Sequence, residues 1–160
     1  MDHLDEYDII QNVALASLVI WSFSAKYYTT NEEKRGIDLQ VLMLILPLLF
    51  NESFVNSAYR RNFKKGFFAV LNDNKSTYIG LQERMENMSK LTLRSINACI
   101  SSKLLMYDTE TYSFVPIRTI IPKFNESEDI KKIFAASERL GYWFATIDFQ
   151  EICTLLKVRF

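Results

Sequence analysis

Apolar positions concentrate in the middle of the chain, in the segment Asp38–Phe50. Its second part, Val41–Phe50, holds ten apolar residues in succession without a charge. A bilayer-spanning helix needs roughly 20 such residues, so this shorter run predicts a segment buried inside the protein. Pro47 predicts that the helix ends or kinks near that residue. Asp38 is a candidate N-cap for the helix that begins the run.

Helical periodicity recurs on both sides of this segment. The predicted helices span Asp8–Tyr28, Asn62–Leu71, Thr77–Met88, Lys90–Lys103, Ser127–Ala145 and Asp148–Leu156, with a short helix or turn inside Asn51–Arg61. Gly141 is expected to interrupt the fifth of these helices. Residues 1–7 are polar and predict a flexible tail. A chain of 160 residues with 49% apolar residues is long enough for a real core, so we expect one domain over residues 1–160.

A β-hairpin is predicted after the fourth helix, where Leu104–Tyr107 and Tyr112–Ile117 flank the turn sequence DTET. Two helices followed by a hairpin, over residues 77–117, are typical of a winged helix-turn-helix. The expected fold is therefore mainly α with a minor β part: a compact helical domain with a winged-helix-like helix-turn-helix and a β-hairpin.

The helix Lys90–Lys103 would be the recognition helix of that motif. Its buried face is expected to consist of Leu91, Leu93, Ile96, Cys99 and Ile100. Its outer face is expected to carry Lys90, Thr92, Arg94, Ser95, Asn97 and Lys103, of which Lys90, Arg94 and Asn97 are the candidates for reading a major groove. Winged helices also serve as protein-interaction modules, so the motif does not decide between DNA and a protein partner.

The net charge of zero argues against DNA binding over the whole surface of the protein. The chain has nineteen basic and nineteen acidic residues, whereas a general DNA binder is expected to have a basic excess. The densest basic cluster consists of Arg60, Arg61, Lys64 and Lys65. Two interpretations stay open for this cluster: it is a solvated face, or it contacts an acidic partner or the DNA backbone.

Candidate catalytic residues are scarce. His3 is the only histidine and lies in the predicted tail, and Cys99 and Cys153 lie on apolar helix faces. Four glycines form no phosphate-binding motif. We therefore expect no enzyme activity, cofactor, metal site or small-molecule substrate. The acidic N-terminus and the low cysteine content favour the cytoplasm, and no membrane association is expected.

Four sequence blocks resemble the middle component of bacterial ABC three-component systems. They are NVALASLVIWSF at residues 12–23, GIDLQVLMLILPLLF at 36–50, LQERMENMSKLTLRSI at 81–96 and LGYWFA at 140–145. The resemblance lies in their order and spacing. The family-like core motif consists of Asn12, Trp21, Pro47, Gly141, Trp143 and Phe144.

The resemblance implies a small non-enzymatic accessory subunit of the kind found in Lamassu-type anti-phage systems. Such a subunit would bind an SMC/Rad50-like ABC ATPase and help hold a nuclease-type effector inactive, and it would meet DNA only indirectly through the complex. Two alternatives stay open. One is a stand-alone winged-helix DNA-binding regulator, and the other is a phage or plasmid structural protein with a hydrophobic assembly surface.

Overall fold

The computed structural model describes residues 6–32, 34–123 and 125–160, with side chains from Asn12 onward. Its elements are α1 (Glu6–Thr30), α2 (Leu39–Leu42), α3 (Ile45–Leu49), α4 (Glu52–Ala58), α5 (Gly66–Asp73), a 3₁₀ turn (Lys75–Thr77), α6 (Leu81–Asn87), α7 (Ser89–Ser101), β1 (Leu105–Asp108), β2 (Ser113–Pro116), α8 (Glu128–Thr146) and α9 (Phe149–Leu156). The prediction of a mainly α fold with a small antiparallel hairpin is confirmed.

Helix α1 is the central element, because α8 and α7 both pack along it. Short polar side chains lie at these contacts and let the helix axes come close. The hydroxyls of Ser22 on α1 and Ser137 on α8 are 2.7 Å apart, and the Ser17 hydroxyl donates to the Ser95 carbonyl of α7 at 3.2 Å. These bonds satisfy the hydroxyls of Ser17, Ser22 and Ser137 where the close packing buries them.

Gly141 does not interrupt α8, which corrects the prediction. The helix runs through this position because the absent side chain allows its closest approach to α1. A Cβ at Gly141 would lie 2.8 Å from the carbonyl oxygen of Phe23 and 2.9 Å from Cβ of Lys26. Gly141 therefore acts through packing rather than through a break in the helix.

The central apolar segment is buried as predicted over most of its length, including Leu42 and all of Leu44–Leu49. Its break lies at Met43–Leu44, between α2 and α3, and not at Pro47. The proline occupies the first turn of α3, where its missing N–H needs no partner, and the break removes the clash with the carbonyl four residues earlier. Asp38 holds the N-cap position of α2, but its side chain makes no capping bond.

Two of the predicted helices begin later than expected. The helix expected from Asn62 begins at Gly66, because the Asn62 side chain accepts a bond from the Lys64 amide and forms a turn. The helix expected from Thr77 begins at Leu81, after Gly80 in the left-handed region.

At the N-terminus, α1 already includes residues 6 and 7 of the predicted tail, and the rest of that tail lies outside the described residues. Ser89 is the first residue of α7, and its hydroxyl donates to the Glu86 carbonyl. Ser127 caps α8, with its side chain accepting from the Ile130 amide.

The hairpin pairs Leu105 with Pro116 and Asp108 with Ser113, and Ile37 adds a single antiparallel bridge to Phe114. Trp21 of α1 donates its indole N–H to the Arg118 carbonyl at 2.8 Å, which fixes the segment after β2 against α1. Within the described ranges, no single helix is long and apolar enough to cross a membrane. One pair bent by 94°, Leu39–Leu49 with Glu52–Ala58, meets that test by length and composition alone.

Candidate partner-contact surfaces

The four residues of the predicted basic cluster lie in the turn between α4 and α5. Arg60, Lys64 and Lys65 are exposed, whereas Arg61 is partly buried. The Arg61 guanidinium donates to the Ser57 carbonyl at 2.9 Å and forms an ion pair with Asp73. Arg61 therefore stabilises the turn, and the other three side chains are available to a partner.

Further cations gather around two aromatic rings beside this turn. Arg60 and Lys132 lie 4.8 Å and 5.2 Å from the ring centroid of Tyr59. The Phe63 ring is approached in the same way by Lys26 at 5.2 Å and Arg139 at 4.7 Å. Such cation–π contacts are each worth about 0.5–1 kcal/mol at exposed sites. We call the whole patch the basic surface; it comprises Lys26, Arg60, Arg61, Lys64, Lys65, Lys132 and Arg139.

Arg139 joins the basic surface to α8. Its Nε donates to the Arg61 carbonyl at 2.8 Å and one terminal nitrogen donates to the Ala135 carbonyl at 3.0 Å. Partial burial lowers the pKa of Arg139 from its usual value, and the charge of Glu138 opposes that effect. Arg139, Lys132 and Lys26 are not among the contact residues predicted from the sequence. Lys132 and Arg139 are seven residues apart, or two helical turns, and this spacing indicates that both lie on one face of α8.

The outward face of α7 carries the three candidates Lys90, Arg94 and Asn97, and all three are exposed. The rest of that face differs from the prediction. Thr92 and Ser95, expected outside, are fully buried, whereas Leu93 and Ile100, expected inside, are 50% and 37% exposed.

The reason is the close contact of α7 with α1, which admits only short side chains. The Ser95 hydroxyl donates to the Leu91 carbonyl at 2.7 Å, and Cys99 Sγ donates to the Ser17 carbonyl at 3.2 Å. Leu93 and Ile100 therefore lie on the exposed side of α7.

The family-like core motif divides between interior and surface. Trp21, Pro47, Gly141, Trp143 and Phe144 are buried, and the Trp143 indole N–H donates to the Asn62 carbonyl at 3.4 Å. Asn12, the remaining residue of the motif, is exposed on α1 and lines a cleft that also includes Asp129 and Lys132.

Reactive groups are few in the described part of the chain. Burial raises the pKa of the Cys99 thiol to about 12, although a hydrogen bond with Ser17 opposes this, and burial also raises the pKa of Cys153. Both thiols therefore stay protonated at neutral pH. No group of three or more His, Cys, Asp or Glu residues is placed to hold a metal among the described residues. His3 lies outside them.

A family model of the ABC-three component (ABC-3C) system Middle Component 3 matches residues 2–160. The chain belongs to this family. Being one component of three, the middle component has partner components with which it works. Neither the curated proteins nor the solved structures compared with the chain contain a match. A component of an assembly must present surfaces to its partners, and the basic surface and the exposed face of α7 are the candidates for them.

Proposed function

We propose that this middle component is a non-enzymatic accessory subunit of a bacterial anti-phage or anti-plasmid defence complex in the cytoplasm. It binds an SMC/Rad50-like ABC ATPase and helps hold and regulate a nuclease-type effector, as its resemblance to Lamassu-type systems implies. The family assignment supports an accessory role. The protonated thiols and the scarcity of candidate catalytic groups agree with that role.

The observation that carries the proposal is the basic surface. Arg60, Lys64 and Lys65 form no ion pair with any described carboxylate. Unneutralised cations gathered in one turn attract anionic groups, although the chain as a whole is neutral. The anionic groups are either acidic side chains of a partner component or DNA phosphates held by the ATPase.

Alone, the middle component is expected to bind DNA weakly. Each phosphate neutralised on duplex DNA contributes a slope of about −0.9 to log K against log salt. Even four such contacts give an association that is non-specific and lost as salt rises. Firm contact with DNA therefore requires the complex.

A stand-alone winged-helix regulator remains the rival function, because Lys90, Arg94 and Asn97 are exposed on α7 after a short helix and before a hairpin. The two hypotheses differ in what the isolated protein does. A regulator binds a particular DNA sequence tightly without other components, and truncating a base-reading arginine costs about 1–3 kcal/mol.

The deciding experiment reverses two exposed charges of the basic surface, Arg60→Glu with Lys64→Glu, in the protein co-expressed with the other two components of its system. We expect the melting temperature to fall by no more than a few degrees, because both side chains are exposed and only the contact of Arg60 with the Tyr59 ring is lost. We also expect loss of protection in phage and plasmid challenge. The matched control is Lys123→Glu with Arg159→Glu, which reverses one exposed lysine and one exposed arginine elsewhere and should protect like the wild type.

Binding measurements on the same variants separate the two anionic partners. If the double variant loses the other components, the basic surface contacts protein; if it keeps them but the complex releases DNA at lower salt, the surface contacts phosphate. Full protection by the double variant would mean that the basic surface is only a solvated face. Nanomolar, sequence-dependent DNA binding by the isolated wild type, abolished by Arg94→Ala, would establish the regulator instead.

A further inference from the structure

A groove of about 540 Å³ lies between α1 and α7, away from the residues that form the basic surface. Its walls are apolar and partly exposed, and they comprise Val13, Ala14 and Leu18 of α1 with Ala98 and Leu104. The floor is Ser17, whose hydroxyl is already bonded to the Val13 and Ser95 carbonyls. The groove is open because the side chains at its centre are small. Its floor needs no polar group from an occupant, because the Ser17 hydroxyl already has hydrogen-bond partners.

On the α7 side, the groove is bordered by Arg94, Ala98 and the C-cap residue Ser102, which follow helical spacing along one side of the helix. Leu93 and Ile100 are 50% and 37% exposed, but they lie on a different side of α7 and are not part of the groove. An apolar groove rimmed by polar residues is typical of an interaction site.

On the α7 side of the groove, all charged residues are cations. Residues 87–107 include Lys90, Arg94 and Lys103 and contain no aspartate or glutamate. None of these three cations forms an ion pair with a described carboxylate, and Arg94 lies at the wall of the groove. The complementary occupant therefore has apolar side chains for the groove and acidic side chains for its edge.

We propose that the groove between α1 and α7 binds an amphipathic helix with an acidic polar face, supplied by another component of the three-component system. This inference rests on the proposed function, since it assumes a complex of the three components. Two neighbouring helices offer a third helix a ready packing surface at an interaxial distance of about 8–10 Å. Anchors at positions i, i+3 or i+4 and i+7 of the incoming helix would enter between the small residues.

Other occupants fit less well. A second copy of the chain that docks through the same face would bring the same cations against Lys90, Arg94 and Lys103, and like charges repel. DNA would pair with the cations, but it would leave the apolar walls against a polar, hydrated groove. An acidic helix satisfies both the charges and the apolar surface.

The first test uses the tagged protein co-expressed with the other two components. Arg94→Glu and Ala14→Glu each place a negative charge at the groove, and both positions are exposed, so the melting temperature should stay unchanged. Each should weaken binding of one component about tenfold or more. Arg94→Lys preserves the charge and should bind within about threefold of the wild type. Arg159→Glu is the control for charge reversal elsewhere.

The second test replaces Ser102, an exposed residue at the wall of the groove, with a photoreactive phenylalanine analogue in the assembled complex. After irradiation, the cross-linked peptide is identified by mass spectrometry. We expect a segment of one of the two other components in which apolar residues recur at helical spacing and acidic residues flank them.

A complex that assembles normally with Arg94→Glu and Ala14→Glu, and gives no cross-link from position 102, would overturn this inference and leave the proposed function standing. Cross-links to DNA or to a second copy of the chain would overturn it as well. If the wild-type protein fails to assemble with the other components, both the inference and the proposed function are wrong.

Discussion

Gly141 shows how one missing side chain determines the packing of the molecule. It sits on α8 where that helix approaches the Phe23 carbonyl and the Tyr27 amide of α1. Glycine normally weakens a helix by roughly 1 kcal/mol relative to alanine. Here the close contact of α1 and α8 compensates for that weakness, and the ring contacts of Phe144 with Phe23 and Phe67 lie beside it.

Gly141→Ala should therefore destabilise the protein in spite of the better helix propensity of alanine. Its Cβ would lie 2.8 Å from the Phe23 carbonyl oxygen, so α1 and α8 must separate. We expect the free energy of unfolding to fall by about 1–3 kcal/mol, measured by chemical denaturation. The control Glu138→Ala, on the exposed side of α8, should change it little. A Gly141→Ala variant more stable than the wild type would contradict the packing role.

At the scale of elements, the hairpin turn depends on a charged residue. The Asp108 carboxylate accepts the Glu110 amide at 2.9 Å. This bond, followed by the one from the Thr111 hydroxyl, lowers the pKa of Asp108 from its usual value. Because the folded pKa is lower than the unfolded one, the stabilisation is present above the unfolded pKa and is lost as pH falls through the folded pKa.

An NMR titration of the Glu110 amide should therefore show a midpoint below that of an ordinary aspartate, about 3.9. In Asp108→Asn, the chemical shift of the Glu110 amide should be unchanged at neutral pH, because the asparagine side-chain oxygen still accepts its hydrogen bond. The change in that shift at acid pH should disappear, because asparagine does not titrate. A titration midpoint at or above that of an ordinary aspartate would show that the turn does not stabilise the charged form of Asp108.

The elements that sequence predicts best here are those whose signal is local. Ser127 and Asn51 cap α8 and α4 with side-chain bonds to the amides of the third following residue, and the hairpin lies where its alternation indicates. The orientation of α7 depends on a partner helix instead. Thr92 and Ser95 are buried because α1 lies too close for leucine, and that distance is set by residues far away in the chain.

The candidate surfaces likewise divide into a part that neighbouring residues in the sequence indicate and parts that depend on contacts between distant helices. Arg60, Arg61, Lys64 and Lys65 are neighbours in sequence, so their cluster was visible without a structure. Lys26, Lys132 and Arg139 join them only because α1, α8 and the α4–α5 turn meet around Tyr59 and Phe63. The groove between α1 and α7 requires two helices separated by more than fifty residues, and no local pattern indicates it.

For the whole molecule, the two proposed interaction surfaces differ in chemistry and lie on different parts of the fold. The basic surface uses α8, the turn between α4 and α5 and Lys26 in the C-terminal half of α1, and the groove uses α7 and the N-terminal half of α1. One surface offers charge and the other offers apolar area flanked by charge. Together the two proposals predict that the middle component contacts two different partners at the same time.

The purified protein should show no hydrolysis of nucleotide and no cleavage of nucleic acid above background. The reasons are the absence of a phosphate-binding motif from the sequence and the raised pKa of both thiols. ATP with Mg²⁺ and plasmid DNA with Mn²⁺ are the substrates to test. Turnover that disappears when a single carboxylate is substituted would contradict this expectation.

The two indole groups give the molecule separate optical reporters. Trp143 is enclosed by α5 and α8, near Phe67, whereas Trp21 is bonded to the Arg118 carbonyl beyond β2. With Trp143→Phe, all remaining tryptophan emission comes from Trp21. Release of the Arg118 segment would admit water to that indole and shift its emission to longer wavelength. The fluorescence of one ring can thus follow, in real time, whether engaging a partner loosens this side of the protein.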